Sequence, residues 1–168
     1  INIFNFMDGI DGITGVETIS ICTGIVFTLG FLGSDADFSY LAIVLAASAL
    51  GFLIWNWHPA KLFLGDVGSI PLGFLVGWLL IELAAAGQWA AALILPGYYL
   101  ADATLVLLYR AVRLEPVWKA HKQHFYQRAV AGSLTHSQAN RAVIITNIWL
   151  ISCSLLSSIV IPVGLVGA

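Results

Sequence analysis

Residues 70–109 read IPLGFLVGWLLIELAAAGQWAAALILPGYYLADATLVLLY, and only Glu82 and Asp102 carry charge across the whole stretch. A membrane-spanning helix needs about 20 apolar residues, within a range of roughly 17 to 25. The pair Gly87-Gln88 divides the stretch into two runs of that length, 70–86 and 89–109. Two such runs leave room for only a tight turn between them. Pro96 lies inside the second run and predicts a kink there.

Composition carries this reading outward. The chain is 60% hydrophobic and 10% charged, with a mean hydropathy of +0.92. A soluble domain carries about 25% charged residues. The chain therefore lacks the polar surface to face water on all sides, and the fold class is an all-α integral membrane protein, read as one domain over 1–168. Further runs at 16–32, 40–57 and 142–161 bring the expected number of transmembrane helices to about five. Trp55, Trp57, Trp89 and Trp118 fall near span ends, where indole rings favour the interface. Cys22 and Cys153 sit inside apolar runs without metal-ligand spacing and read as packing residues. The first residue is Ile1 and no signal-peptide pattern precedes the first run, so the chain reads as a fragment of something longer.

The cations set the expected sidedness. Lys61 lies between the second and third spans; Arg110, Arg113, Lys119, Lys122, Arg128 and Arg141 lie between the fourth and fifth. Five alternating spans put both segments on one side, together with residues 1–15. The positive-inside rule makes that side cytoplasmic. The expected cytoplasmic segments are 1–15, 58–69 and 110–141, and they hold nearly all the polar clusters. The exception, GSDADF with Asp35 and Asp37, reads as a solvated external turn.

Three clusters on that side carry candidate chemistry. In the first, Asn2, Asn5, Asp8 and Asp11 recur every three residues, a spacing that makes helical neighbours. Their oxygens suit a hard cation such as Mg²⁺, which commonly takes one or two carboxylates plus substrate phosphates. Gly9, Gly12 and Gly15 would admit a ligand or another helix close to the backbone. An Asx-rich turn capping the first span is the plainer alternative. The second cluster is FLGDVGS. Asp66 or Ser69 reads either as a helix cap or as part of a metal or phosphate site at a helix start. Phe63 offers a face on which a base could stack, and Lys61 a charge to neutralise phosphate. The third is the basic loop, where His121, Lys122, His124 and Arg128 offer donors suited to phosphate. A plain anionic-lipid contact explains its cations equally well.

Two of the acids within the spans are singled out. Asp102 lies about 12 Å along a helix from Arg110, and ligand, relay and helix-pairing roles are all open to it. Glu82 lies near the outer end of its span. Taken together, carboxylates, a glycine-flanked Asp and a cationic loop at one face suit phosphoryl transfer from a soluble nucleotide to a lipid in the bilayer. The rival from another class is a transporter or channel module with Asp102 and Glu82 in its path. It predicts polar residues reaching both faces, whereas the clustering here is one-sided.

These residues resemble the polyprenyl-phosphate N-acetylhexosamine-1-phosphate transferase superfamily, glycosyltransferase family 4. NIFNFMDGIDG matches its Asn-x-x-Asn and double Asp-Gly motif at Asn2, Asn5, Asp8, Gly9, Asp11 and Gly12. NWHPAKLFLGDVGS matches its second motif at Asn56, Pro59, Ala60, Phe63, Gly65, Asp66, Gly68 and Ser69. The resemblance spans essentially the whole chain, as the later half of a larger polytopic bundle. It implies Mg²⁺-dependent transfer (Mn²⁺ being the other candidate ion) of a sugar-1-phosphate, an N-acetylhexosamine by the family's pattern, from a UDP-sugar to a polyprenyl (undecaprenyl) phosphate, the polyprenol itself left open, releasing UMP. By match, Asp66, Asp8 and Asp11 become catalytic and metal residues, with Asp66 the leading ligand. Asn2, Asn5, Asn56, Phe63, Gly65, Lys61, His121, Lys122, His124 and Arg128 become nucleotide- or substrate-binding residues, Phe63 as the uracil-stacking ring. The implied setting is the bacterial inner membrane, with the active site on the cytoplasmic face and a role in cell-envelope polysaccharide synthesis. No nucleic-acid partner is expected, and a homodimer is left open. Two departures stand out. The family's upstream Asp-Asp motif is absent from this stretch, so the chain alone is expected to be inactive. In the histidine-rich motif His124 is kept, but Tyr126 and Gln127 replace two histidines. That points to a branch serving surface polysaccharide rather than peptidoglycan.

Overall fold

The computed structural model describes residues 1–33, 37–116 and 123–160, and all regular structure among them is helical. The helices are α1 (Asn2–Met7), α2 (Ile13–Phe31), α3 (Phe38–Asn56), α4 (Gly65–Ala85), α5 (Trp89–Ile94), α6 (Gly97–Val112), α7 (Phe125–Gly132) and α8 (His136–Val160). Four of them, α2, α3, α4 and α8, are long and apolar enough to cross a membrane. Together they make an all-helical integral membrane protein. Asp35 and Trp118 lie outside the described residues, and Asp37 directly precedes α3.

The expected span at 89–109 is not one helix but two. Proline at 96 has no N–H to donate to the preceding turn, and its ring crowds the carbonyl four residues back. The first piece, α5, ends at Ile94. Pro96 then becomes the residue that opens α6, accepting the Leu100 N–H at 3.0 Å. Two other helices begin more than a full turn ahead of their apolar runs. α4 starts at Gly65 and α8 at His136. At the latter, Thr135 and Gln138 form a reciprocal cap: Thr135 N–H donates to Gln138 Oε1 at 2.8 Å, and Gln138 N–H to Thr135 Oγ1 at 3.2 Å. Such a pair satisfies donors that a bare helix start leaves orphaned.

α2 is the central helix. It packs against α3, α8, α4 and α5, and Ile13, Val16, Ile21, Cys22, Ile25 and Leu29 are all buried. α3 is the opposite case, burying only Ala42, Ala49 and Asn56. Side chains such as Val44 and Ile54 face outward from it, as suits a lipid-facing helix.

Inside a bilayer, helices associate by close packing and polar bonds rather than by leaving water. Both devices join α2 to its neighbours. Gly24 admits Leu95, which a Cβ there would overlap, and Ile151. Glu17 accepts Asn147 Nδ2 at 2.7 Å, and the Thr28 and Ser154 hydroxyls meet at 3.1 Å. These pairs rise together along α2 and α8, so the two helices run parallel. Glu17 is fully buried. It is a third intramembrane acid, which the sequence reading passes over because it stands one residue inside the first apolar run.

Candidate active site

The motif DGIDG forms a sharp turn between α1 and α2. Gly12 has φ +85°, a left-handed conformation that L side chains resist. A Cβ on it would also lie 2.7 Å from Asn140 Nδ2. That amide reaches in from α8 and donates to the Asp11 carbonyl at 2.7 Å. From the other side, Asn56 at the end of α3 accepts the Gly12 N–H at 2.8 Å. The same side chain donates to the Leu62 carbonyl at 2.7 Å. Asn56, expected to touch substrate, thus has both ends of its amide engaged in stapling the 57–64 loop to the turn.

The two acids of the turn point to different neighbours. Asp8 is half-buried and accepts Thr14 Oγ1 at 2.7 Å. Burial pushes its carboxyl above the ordinary value; the Thr14 bond pulls it back in part, and the nearby charge of Asp66 pushes it up again. Asp11 Oδ2 instead meets His58 Nδ1 at 2.7 Å, the Ala60 N–H at 3.2 Å and His136 Nδ1 at 3.2 Å. Burial alone would raise the Asp11 carboxyl, but these contacts outweigh it and hold the group below its ordinary value. Asp8 thus feels the charge of Asp66 while Asp11 carries the histidine contacts, and Asp8 and Asp11 line one cavity.

Asp66 is exposed in the first turn of α4. The residue before that helix, Leu64, makes no side-chain cap bond. Ser69 is buried and donates to Asn5 Oδ1 at 2.6 Å. The helix-cap alternative for Asp66 and Ser69 is thus corrected: one stands free in the first turn, where the helix dipole favours a negative charge, and the other ties α4 to α1. Gly65 opens α4 at φ +59°. Phe63, 72% exposed, lines a cavity of about 180 Å³ with Asp8, Asp11, Asn56 and His136. Lys61 is exposed beside it, and Asn2 is exposed at the start of α1.

The third cluster is anchored differently from its reading. Asp102, only 1% exposed, accepts His124 Nδ1 at 3.1 Å and the Phe125 N–H at 3.1 Å on both oxygens. Of the roles left open for Asp102, the geometry supports helix pairing: it holds the start of α7 against α6. Tyr126 and Gln127 lie over Gly9, both 2.5 Å from where its Cβ would be. The residues standing where the family carries histidines thus pack on the backbone of the first motif. Arg128 turns elsewhere, lining a cavity of about 670 Å³ with Arg113, Phe125 and apolar side chains of α6. His121 and Lys122 lie outside the described residues. Glu82 is part-buried near the far end of α4, about 24 Å along the helix from Asp66.

Three site residues carry no role in the sequence reading: His58, His136 and Asn140. A signal for the last two was present. Thr135-x-x-Gln138 ahead of an apolar run marks a helix start, and residues 136 and 140 then share a face.

Fold and site together define a helical membrane protein with a cluster of carboxylates, amides and imidazoles at one end of the bundle. The profile of "Glycosyl transferase family 4" matches residues 1–84. Over 140 residues the chain is 33% identical to a probable undecaprenyl-phosphate N-acetylglucosaminyl 1-phosphate transferase of Bacillus subtilis, covering 80% of this chain and 38% of that protein. It is 35% identical over 107 residues to a phospho-N-acetylmuramoyl-pentapeptide-transferase of Clostridium beijerinckii, covering 64% and 32%. It is 40% identical over 87 residues to a decaprenyl-phosphate N-acetylglucosaminephosphotransferase of Mycolicibacterium smegmatis, covering 46% and 21%. The chain belongs to glycosyl transferase family 4. It spans well under half the length of these relatives.

Proposed function

We propose that the full-length protein transfers a sugar-1-phosphate, an N-acetylhexosamine-1-phosphate, from a UDP-sugar to a polyprenyl phosphate and releases UMP. The setting is cell-envelope polysaccharide synthesis at the cytoplasmic face of a bacterial inner membrane. The observation that carries the reading is the Asp8–Asp66 pair. Asp8 is a half-buried carboxyl already raised by burial and by a second acid nearby. A divalent cation between such groups relieves both the desolvation and the like-charge cost, and an all-oxygen donor set fits Mg²⁺, or Mn²⁺ in its place.

Asp66 and Asp8 would hold that ion, which would supply charge neutralisation for the donor's two phosphates. The protein's own groups do the rest. The free N–H groups at the start of α4 favour an anion, and Lys61 adds positive charge beside them. Phe63 offers the uracil a stacking face at the cavity mouth. Asn5, fixed by Ser69, keeps α1 against α4, so Asp8 and Asp66 stay within each other's field. Asp102 holds the start of α7, whose Tyr126 and Gln127 lie over Gly9 beside Asp8. The acceptor's phosphate reaches this end from within the bilayer.

The test is UMP release by the full-length protein with a panel of UDP-sugars and undecaprenyl phosphate, with and without Mg²⁺. UMP appearing only with metal and with one donor class is the expected result. Asp66→Asn should nearly abolish turnover at unchanged expression. Metal-independent turnover, or no UMP with any donor, overturns the reading.

A further inference from the structure

We propose that Asp11, His58 and His136 form a second metal site, one for a divalent transition cation of the Zn²⁺ class. Among the described residues theirs is the one group of three ligand-type side chains whose donor atoms gather, all lying within 4.8 Å of one another. Four-coordinate zinc, with bonds of about 2.0–2.1 Å, keeps its ligand atoms roughly 3.3 Å apart. Here Asp11 Oδ2 already stands 2.7 Å from His58 Nδ1 and 3.2 Å from His136 Nδ1. Sub-ångström shifts of two exposed or half-exposed imidazoles complete the geometry.

Electron pairs supply the second argument. The Asp11 backbone N–H points at His136 Nδ1 at 3.3 Å, an arrangement that calls for a lone pair on that nitrogen. The same nitrogen faces the Asp11 carboxylate oxygen at 3.2 Å. Two electron-pair donors so close repel unless a proton or a metal cation lies between them. Two imidazoles with one carboxylate are also the wrong set for Mg²⁺, which prefers oxygen, and the right one for a borderline transition ion. The Ala60 N–H bonded to Asp11 Oδ2 at 3.2 Å is the kind of outer contact that orients a ligating carboxylate.

The three ligands come from the α1–α2 turn, the loop after α3 and the first turn of α8. Sequence separations of 47 and 125 divide Asp11 from the two histidines. A bound ion would fasten these segments together at the polar end of the bundle. Three protein ligands leave a fourth position open toward the 180 Å³ cavity that Asp11 and His136 line, where water or a phosphate oxygen could complete the set. This site shares its cavity with the proposed transferase site but takes its ligands from neither Asp8 nor Asp66.

The experiment is equilibrium dialysis of the purified full-length protein against Zn²⁺ with metal analysis, repeated with Co²⁺ and visible spectroscopy. One bound equivalent is expected, with intense Co²⁺ bands of four- or five-coordinate type. His58→Gln and His136→Gln should each weaken binding at least tenfold, while Asp66→Asn keeps the full equivalent. Helical circular dichroism identifies any variant that has not folded, and the Co²⁺ spectrum of the unaltered protein then decides alone. No bound equivalent at micromolar Zn²⁺, a pale six-coordinate Co²⁺ spectrum, full binding in both folded histidine variants, or loss in Asp66→Asn each overturns the proposal.

Discussion

Gly12→Ala is the sharpest test of how the DGIDG turn is held. The left-handed conformation at φ +85° costs an L-residue about 1–2 kcal/mol. The new methyl would also sit 2.7 Å from Asn140 Nδ2, so the amide must retreat and release the Asp11 carbonyl. Asn140 is fully buried, and its Oδ1 already has no hydrogen-bond partner. Losing the remaining bond adds about 1 kcal/mol net, more if the group stays buried. The sum is a destabilisation of about 2–3 kcal/mol. Gly51→Ala is the matched control. Nothing lies within 4 Å of its Cβ position, and it sits within α3, where alanine is favoured over glycine by about 0.5–1 kcal/mol. Equilibrium unfolding in mixed micelles, followed by tryptophan fluorescence, reads both. Opposite signs are the expected result. A Gly12→Ala change within about 0.5 kcal/mol of the parent would refute the left-handed turn and the Asn140 strut together.

Asp102→Asn keeps the side chain's shape but weakens the acceptor for His124 and Phe125 N–H, a loss of about 1–3 kcal/mol at a buried site. Hydrogen exchange should accelerate across α7 by at least tenfold and not in α2; unchanged protection of Phe125 would remove Asp102 from its anchoring role. The depressed Asp11 carboxyl fixes a pH dependence in metal-free protein. A group whose folded pKa lies below its unfolded value adds stability above the ordinary 3.8, and that stability fades as pH falls through the lower, folded value. The stability gap between the parent and Asp11→Asn should therefore shrink as pH falls from about 5 toward 3 and below. A gap that widens over that acid range would reverse the sign and reject the His58–Asp11–His136 arrangement.

Much of this architecture is local in origin and therefore readable. Apolar runs of bilayer length announce α2, α3, α4 and α8, and Pro96 announces the break between α5 and α6. The motifs around Asp8 and Asp66 announce the family. The helix starts were less legible, because hydropathy marks where lipid begins rather than where hydrogen bonding begins. The Thr135–Gln138 cap extends α8 beyond its oily stretch and carries His136 and Asn140 into the site. Glu17 escapes a hydropathy reading for a related reason: a single acid at the edge of a run reads as its border, although the fold buries it against Asn147.

The misreading of the first motif is the most instructive. A three-residue spacing from Asn2 to Asp11 suggests neighbouring oxygens on a helix. The helix stops at Met7, and Gly12, at its positive φ, reverses the chain three residues after Gly9. Spacing along a helix no longer governs direction beyond that point. Asp8 is left facing α4 and Asp66, while Asp11 swings toward the imidazoles from the loop after α3 and from α8. No pattern in the chain predicts that swing, because it is decided by Asn56 and Asn140 gripping the turn from opposite sides. Tyr126 and Gln127 follow the same logic. Read as lost histidines they count as a defect, yet over the bare backbone of Gly9 their ring and amide close the basic loop onto the turn. Two acids three residues apart thus line one cavity with different partners, the Thr14 hydroxyl for one and the imidazoles for the other, and it is the turn between them that parts their contacts.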